Sequence, residues 1–68
     1  MIKKIVIKNR SLSQLGVMLE PWTNREDADP EQEIVIEANF SEEDLIIEFF
    51  DENFISIWSP PKAKISRS

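Results

Sequence analysis

The chain has 68 residues, a net charge of −5, and neither cysteine nor histidine. This composition excludes disulfides, thiolate metal sites and histidine-based catalysis, and so short a chain forms one domain whose core is marginal without oligomerisation. Without cysteine or a long apolar run, we expect a cytoplasmic protein with no membrane span.

Charge is segregated along the chain. Residues 1–19 carry +4, residues 20–54 carry −12, and residues 55–68 carry +3. Because opposite charges attract, we expect the basic ends to lie against the acidic middle, in the same subunit or in a neighbour. The acidic balance makes nucleic acid an unsuitable partner, since nonspecific binding to phosphates needs a basic surface.

Three strands are predicted in the first 40 residues. Residues 2–8 read as an edge strand protected by lysines, and Leu15–Glu20 as a second strand that Pro21 ends. Residues 22–32 are predicted to be a long polar loop. Residues 33–40 alternate apolar and polar side chains, which is typical of a half-buried third strand.

A β-hairpin is predicted over residues 45–58, where two apolar runs flank the polar residues 51–53. Both runs are apolar on both faces, a pattern typical of strands buried on both sides. A chain of this length has little material to cover both faces, so either some apolar side chains are exposed or the second face meets another subunit. Before the hairpin, Ser41 and Asp44 have the spacing of a helix N-cap, which predicts one short helical turn.

Together these elements predict an all-β fold, a small antiparallel β-sandwich or barrel of about five strands in a single domain. The domain is predicted to span residues 1–60. Residues 61–68 follow two prolines, carry basic side chains, and are predicted to form a flexible tail.

One resemblance to known proteins involves residues 17–22, which read Val-Met-Leu-Glu-Pro-Trp, together with Pro30 and residues 34–37. This stretch resembles a loose group of small, uncharacterised bacterial and phage β-rich proteins, in which a strand ends in Leu-Glu-Pro-Trp and a Pro-Gly turn precedes the next strand. Here Glu31 stands in place of the glycine. The resemblance covers the middle of the chain and implies a β-rich fold without implying an activity.

The segment from Trp22 through Thr23 and Asn24 to Arg25 places an indole, a hydroxyl, a carboxamide and a guanidinium side by side. Such a set can stack on a planar ring and bind a phosphate or carboxylate through the arginine. The alternative is that Trp22 caps one end of the fold while Arg25 pairs with a nearby acid.

No catalytic or metal-binding pattern is present. The alternating acids of residues 27–33 lack the glycine and the terminal glutamate of an EF-hand, so they are predicted to be a solvated surface. No serine has a partner base in a recognised motif. We therefore predict a protein that is not an enzyme and that uses no cofactor and no metal.

Two functions are compatible with this sequence. The first is a homo-oligomeric binding protein that captures a small anionic or nucleotide-like ligand at a subunit interface, as some phage proteins sequester signalling molecules. An interface site is expected because a sheet fold of this size fills its interior with side chains. The candidate ligand-binding residues are Trp22, Thr23, Asn24, Arg25, Lys8 and Arg10, with Lys62 and Lys64 as further cations.

The second function is an acidic protein–protein interaction module that docks on a partner through an exposed apolar sheet face. Its candidate interface residues are Ile46, Phe50, Ile55 and Ile57.

Overall fold

The structure, a computed structural model, describes residues 2–40, 46–51 and 53–68. The described residues form seven strands: β1 (Lys3–Lys8), β2 (Leu15–Glu20), β3 (Asn24–Ala28), β4 (Glu33–Ala38), β5 (Ile46–Asp51), β6 (Phe54–Trp58) and β7 (Lys64–Arg67). They form a three-stranded sheet in the order β1-β4-β7 and a four-stranded sheet in the order β3-β2-β6-β5, and these described strands do not close into a barrel. The all-β class is confirmed, and the prediction of about five strands is wrong by two.

Both ends of the chain pair with β4. Strand β1 lies antiparallel to it on one side and β7 on the other. The register places Lys8 opposite Glu33, and it places Glu37 between Lys4 and Lys64. Opposite charges on neighbouring strands stabilise the pairing. This register confirms that the basic ends lie against the acidic middle, within one chain.

The four-stranded sheet is mixed. Its central strands β2 and β6 run parallel, while β3 and β5 pair antiparallel at the two edges. The prediction of an entirely antiparallel fold is therefore wrong. Between β2 and β6 the chain passes through the other sheet as β4, and a crossover of that kind is what parallel neighbours require.

The hydrophobic core lies between the apolar faces of the two sheets. Alternate residues of β2, β4 and β6 point into it, as the alternation of residues 33–40 predicts for β4. The buried core consists of Val17, Leu19, Ala28, Ile34, Ile36, Ala38, Phe40, Ile55 and Ile57. Partly buried isoleucines of β1 and β7 pack against the same core.

The polar loop predicted over residues 22–32 is wrong, because its centre forms strand β3. This strand pairs with β2 along its whole length. Only Ala28 enters the core, and its three preceding residues are Arg25, Glu26 and Asp27. An edge strand with a single apolar residue has no period-two apolar pattern, so the sequence offers no signal for it.

The flexible tail predicted over residues 61–68 contains strand β7, and this prediction is corrected as well. Ile65 packs against the core, and the Ser68 amide donates a hydrogen bond to the Glu33 carbonyl at 3.0 Å. The Arg67 guanidinium lies 3.5 Å from the Glu26 carboxylate and so joins the two sheets. The helical turn predicted near Ser41 and Asp44 lies outside the described residues.

Deleting residues 64–68 should lower the free energy of unfolding by about 2–4 kcal/mol, since it removes the burial of Ile65 and the hydrogen bonds of β7 to β4. Urea unfolding followed by circular dichroism measures this change. The matched variant Arg67→Ala keeps the strand and loses one partly exposed ion pair, so its cost should stay below about 1 kcal/mol. If the deletion lowers the free energy of unfolding no more than Arg67→Ala does, β7 does not contribute to stability as the structure indicates.

Candidate functional site

Trp22 lies in the turn between β2 and β3. Its side chain is 45% exposed, and its indole nitrogen donates a hydrogen bond to the Ser59 carbonyl at 3.1 Å. Thr23 follows with a positive φ of 62°, and its amide donates to the Leu19 carbonyl at 2.7 Å. The indole therefore ties the β2–β3 turn to the segment that follows β6 and keeps part of its surface in solvent.

Arg25 lies on the outer face of the four-stranded sheet. Its Nε donates to the Asp27 carboxylate at 3.0 Å, and its guanidinium carbon lies 4.8 Å from the centre of the Phe54 ring. Gly16 makes room for this arrangement, because a Cβ there would lie 2.7 Å from the guanidinium. Arg25 is thus held flat on the sheet by its acid neighbour and a cation–π contact.

Lys8 and Arg10 lie at the other end of β2 from Trp22. Both are close to the Glu31 carboxylate, at 3.6 and 3.7 Å. Asn9, which lies between these two cations, fixes them near the start of β2. Its buried side chain donates a hydrogen bond to the Ala28 carbonyl at 2.9 Å, and Ala28 pairs with Leu15, the first residue of β2. A six-residue strand spans about 17 Å, so the chain does not bring the six predicted ligand-binding residues into one site.

Glu31 has a φ of 69° in a turn closed by a 2.9 Å hydrogen bond from the Gln32 amide to the Asp29 carbonyl. Proline precedes it, so it occupies the third position of a turn that favours glycine. The turn that the resemblance implied is present with glutamate in place of glycine. The strained backbone holds a carboxylate beside two cations.

The four predicted interface residues divide between surface and core. Ile46 is 54% exposed and Phe50 is 59% exposed, whereas Ile55 is 6% and Ile57 is 0% exposed. Ile55 and Ile57 face inward on a central strand and contribute to the core. The prediction that these two residues form an outer apolar face is wrong.

Strand β5 presents the main apolar surface of the described residues. All six of its residues are exposed, and it lies at the edge of its sheet. We call its four apolar side chains the β5 surface. They are Ile46, Ile47, Phe49 and Phe50.

The hairpin holds the β5 surface in a defined shape. The Phe50 and Phe54 rings stack with centroids 5.7 Å apart, and a register shift between Phe49 and Asp51 makes room for Phe50. The Trp58 indole donates to the Glu48 carboxylate. The Asp51 carboxylate accepts a 2.8 Å hydrogen bond from the Asn53 amide.

Ser56 is fully buried on β6, and its hydroxyl has no hydrogen-bond partner among the residues that the structure describes. It lies between Met18 and Glu48 in the register of the sheet. An unpaired buried hydroxyl lowers stability. No sequence signal marks this position.

A groove of about 470 Å³ lies at one end of the three-stranded sheet. We call it the terminal groove. It lies between the start of β1, the end of β4 and the turn before β7, and its lining residues are Ile2, Glu37, Ala38, Asn39, Pro61, Lys62 and Lys64. Sequence reasoning grouped Lys62 and Lys64 with the other cations, and the structure separates them from Lys8 and Arg10 by the length of β4.

Among the residues that the structure describes, no three acidic side chains gather closely enough to hold a metal ion. No described segment forms a helix of the length and apolar character needed to cross a membrane.

The chain matches no protein-family model, and no curated protein or solved structure matches it. The resemblance of residues 17–22 to small phage and bacterial proteins stays a prediction.

Ser56→Ala should raise the free energy of unfolding by about 1 kcal/mol, because it removes the unpaired hydroxyl without opening a large cavity. Denaturant titration measures the gain. The control Ser66→Ala changes an exposed serine on β7 and should alter stability by less than about 0.5 kcal/mol. Destabilisation by Ser56→Ala would show that the hydroxyl has a partner in solution.

Proposed function

We propose that the chain is a non-enzymatic binding protein that assembles into a homo-oligomer through the β5 surface. The observation that carries this proposal is an edge strand whose residues are all exposed and mostly apolar. Such an edge offers unpaired backbone groups and apolar side chains to another strand. The lack of cysteine and histidine supports the non-enzymatic part of the proposal.

The inner face of β5 lacks a covering layer in the described residues. Ile47 lies opposite Ile57, and Phe49 lies opposite Ile55. These partners on β6 are buried, whereas Phe49 is 79% exposed. Among the described residues, the main contacts of the three-stranded sheet are with β3, at the far edge of the four-stranded sheet from β5.

A second copy of the chain suits this edge. Two-fold pairing would place identical strands side by side, so each copy would contribute the same apolar side chains. The acids of β5 need not oppose this pairing, because Glu48 and Asp51 accept hydrogen bonds within their own hairpin. Like charges would otherwise disfavour a symmetric contact.

Docking on a different protein through the same surface is the second candidate. The overall charge of −5 and the two acids on β5 favour a basic partner, which electrostatic attraction would steer to the edge. Capture of an anion at the subunit interface has less support, since Arg25, Lys8 and Arg10 already pair with acids of their own chain.

Phe49→Glu should weaken self-association at least about tenfold, because it places a charge in the paired edge. Its effect on the monomer should be small, since the side chain is 79% exposed. Light scattering across a concentration series measures the association, and thermal melts of dilute protein measure the monomer.

The control Leu12→Glu introduces the same charge at a side chain that is 99% exposed and outside β5. It should leave association unchanged. A wild-type chain that is monomeric at micromolar to millimolar concentration would rule out the homo-oligomer and leave docking on another protein.

A further inference from the structure

We propose that the terminal groove binds a small organic anion that combines a carboxylate or phosphate with an apolar body. The anionic group would lie at Lys62 and Lys64, and the body would rest on Ile2, Ala38 and Pro61, which line the same groove. This site is separate from the β5 surface, so it does not depend on self-association.

The two lysines of the groove differ from four other cations of the described residues. Four cations pair with acids of the chain: Lys8, Arg10, Arg25 and Arg67. Within the described residues, neither Lys62 nor Lys64 forms an ion pair. Glu37, the acid of the lining, lies opposite Lys64 in the register and offsets one of the two positive charges. The lining therefore keeps a net positive charge toward a ligand.

The backbone at Lys62 supports a role for its ammonium group. Lys62 follows Pro61 and has a φ of 66°, a conformation that favours glycine or asparagine. A lysine there makes the turn less stable than a glycine would. Strained residues of this kind concentrate at functional sites.

Among the described residues, Glu31 also follows a proline, Pro30, and has a similar φ of 69°. There the strained residue holds its carboxylate beside two cations, Lys8 and Arg10. Lys62 has a similar φ after a proline and no ion-pair partner within the described residues. Cations of the same chain neutralise Glu31, whereas an anionic ligand would neutralise Lys62.

The size and character of the groove define the ligand class. A volume of about 470 Å³ lies within the ~300–1,000 Å³ range of sites for small organic molecules and exceeds the needs of a bare ion. Apolar walls lower the local dielectric and strengthen the attraction between the ammonium groups and an anion. An anionic head alone would leave those walls in contact with water.

Nuclear magnetic resonance titration of ¹⁵N-labelled full-length protein tests the site directly. The probes are adenosine monophosphate and naphthoate, which pair a phosphate or a carboxylate with a ring body. Adenosine, naphthol and inorganic phosphate each lack one half of that combination. We expect the two complete probes to shift the amides of Ala38, Lys62 and Lys64, and the incomplete ones to bind at least about tenfold more weakly. A response to only one complete probe identifies the preferred anion.

Lys62→Gly separates binding from folding. It should weaken probe binding at least about tenfold and, by relieving the strained φ, raise the melting temperature by about 4–8 °C. Lys62→Ala should lose binding equally without that gain, because alanine keeps the strain. The control Lys8→Gln removes one positive charge from β1 at the opposite end of β4 from the groove and should change binding less than about twofold.

Three results would overturn the proposal. The first is the absence of amide shifts with both complete probes at millimolar concentration. The second is a set of shifts confined to the Trp22 turn or to β5. The third is a loss of binding in Lys8→Gln that equals the loss in Lys62→Gly, which would mean that general positive charge is sufficient.

Discussion

Strand β4 pairs with β1 on one side and β7 on the other, with glutamates on its outer face and isoleucines on its inner face. Lysines of β1 and β7 lie opposite its glutamates, while Ile34 and Ile36 are fully buried. The first and last strands, β1 and β7, therefore belong to the three-stranded sheet. That sheet cannot cover a four-stranded one completely, and the strand left without cover in the described residues is β5. The exposure of the β5 surface follows from the pairing at β4 and from the short chain.

The same strand pairing also determines which cations lie beside an acid and which do not. Where a basic residue meets an acid across strands or turns, as Arg67 meets Glu26 and Lys8 meets Glu31, its charge stabilises the fold modestly. Lys62 lies in the turn before β7 and Lys64 pairs with Glu37 near the end of β4, and Glu37 is the one acid in the described lining of the terminal groove. Both candidate binding regions thus follow from the pairing at β4. Within the described part of the chain, β5 is exposed along its whole length, and the lining of the terminal groove carries more positive than negative charge.

How much the sequence predicts depends on how many apolar residues each strand contributes. Strands β2 and β4 alternate clearly and were predicted, as was the hairpin of β5 and β6. Strands β3 and β7 contribute one core residue each, Ala28 and Ile65, which gives no period to detect. Ion pairing between distant segments is visible as charge segregation, but its register is not. The terminal groove depends on a positive φ at Lys62 and on the packing of three segments, which composition does not encode.

The central claim is that β5 is an open edge completed by a second copy of the chain. Amide hydrogen exchange on dilute and on concentrated protein tests it most directly. If a second copy completes this edge, amides of β5 exchange quickly in dilute protein and become protected on concentration, while those of the lysine-bearing edge β1 exchange alike in both. Unchanged exchange of β5 across the concentration range, or equal protection of β1, would contradict it.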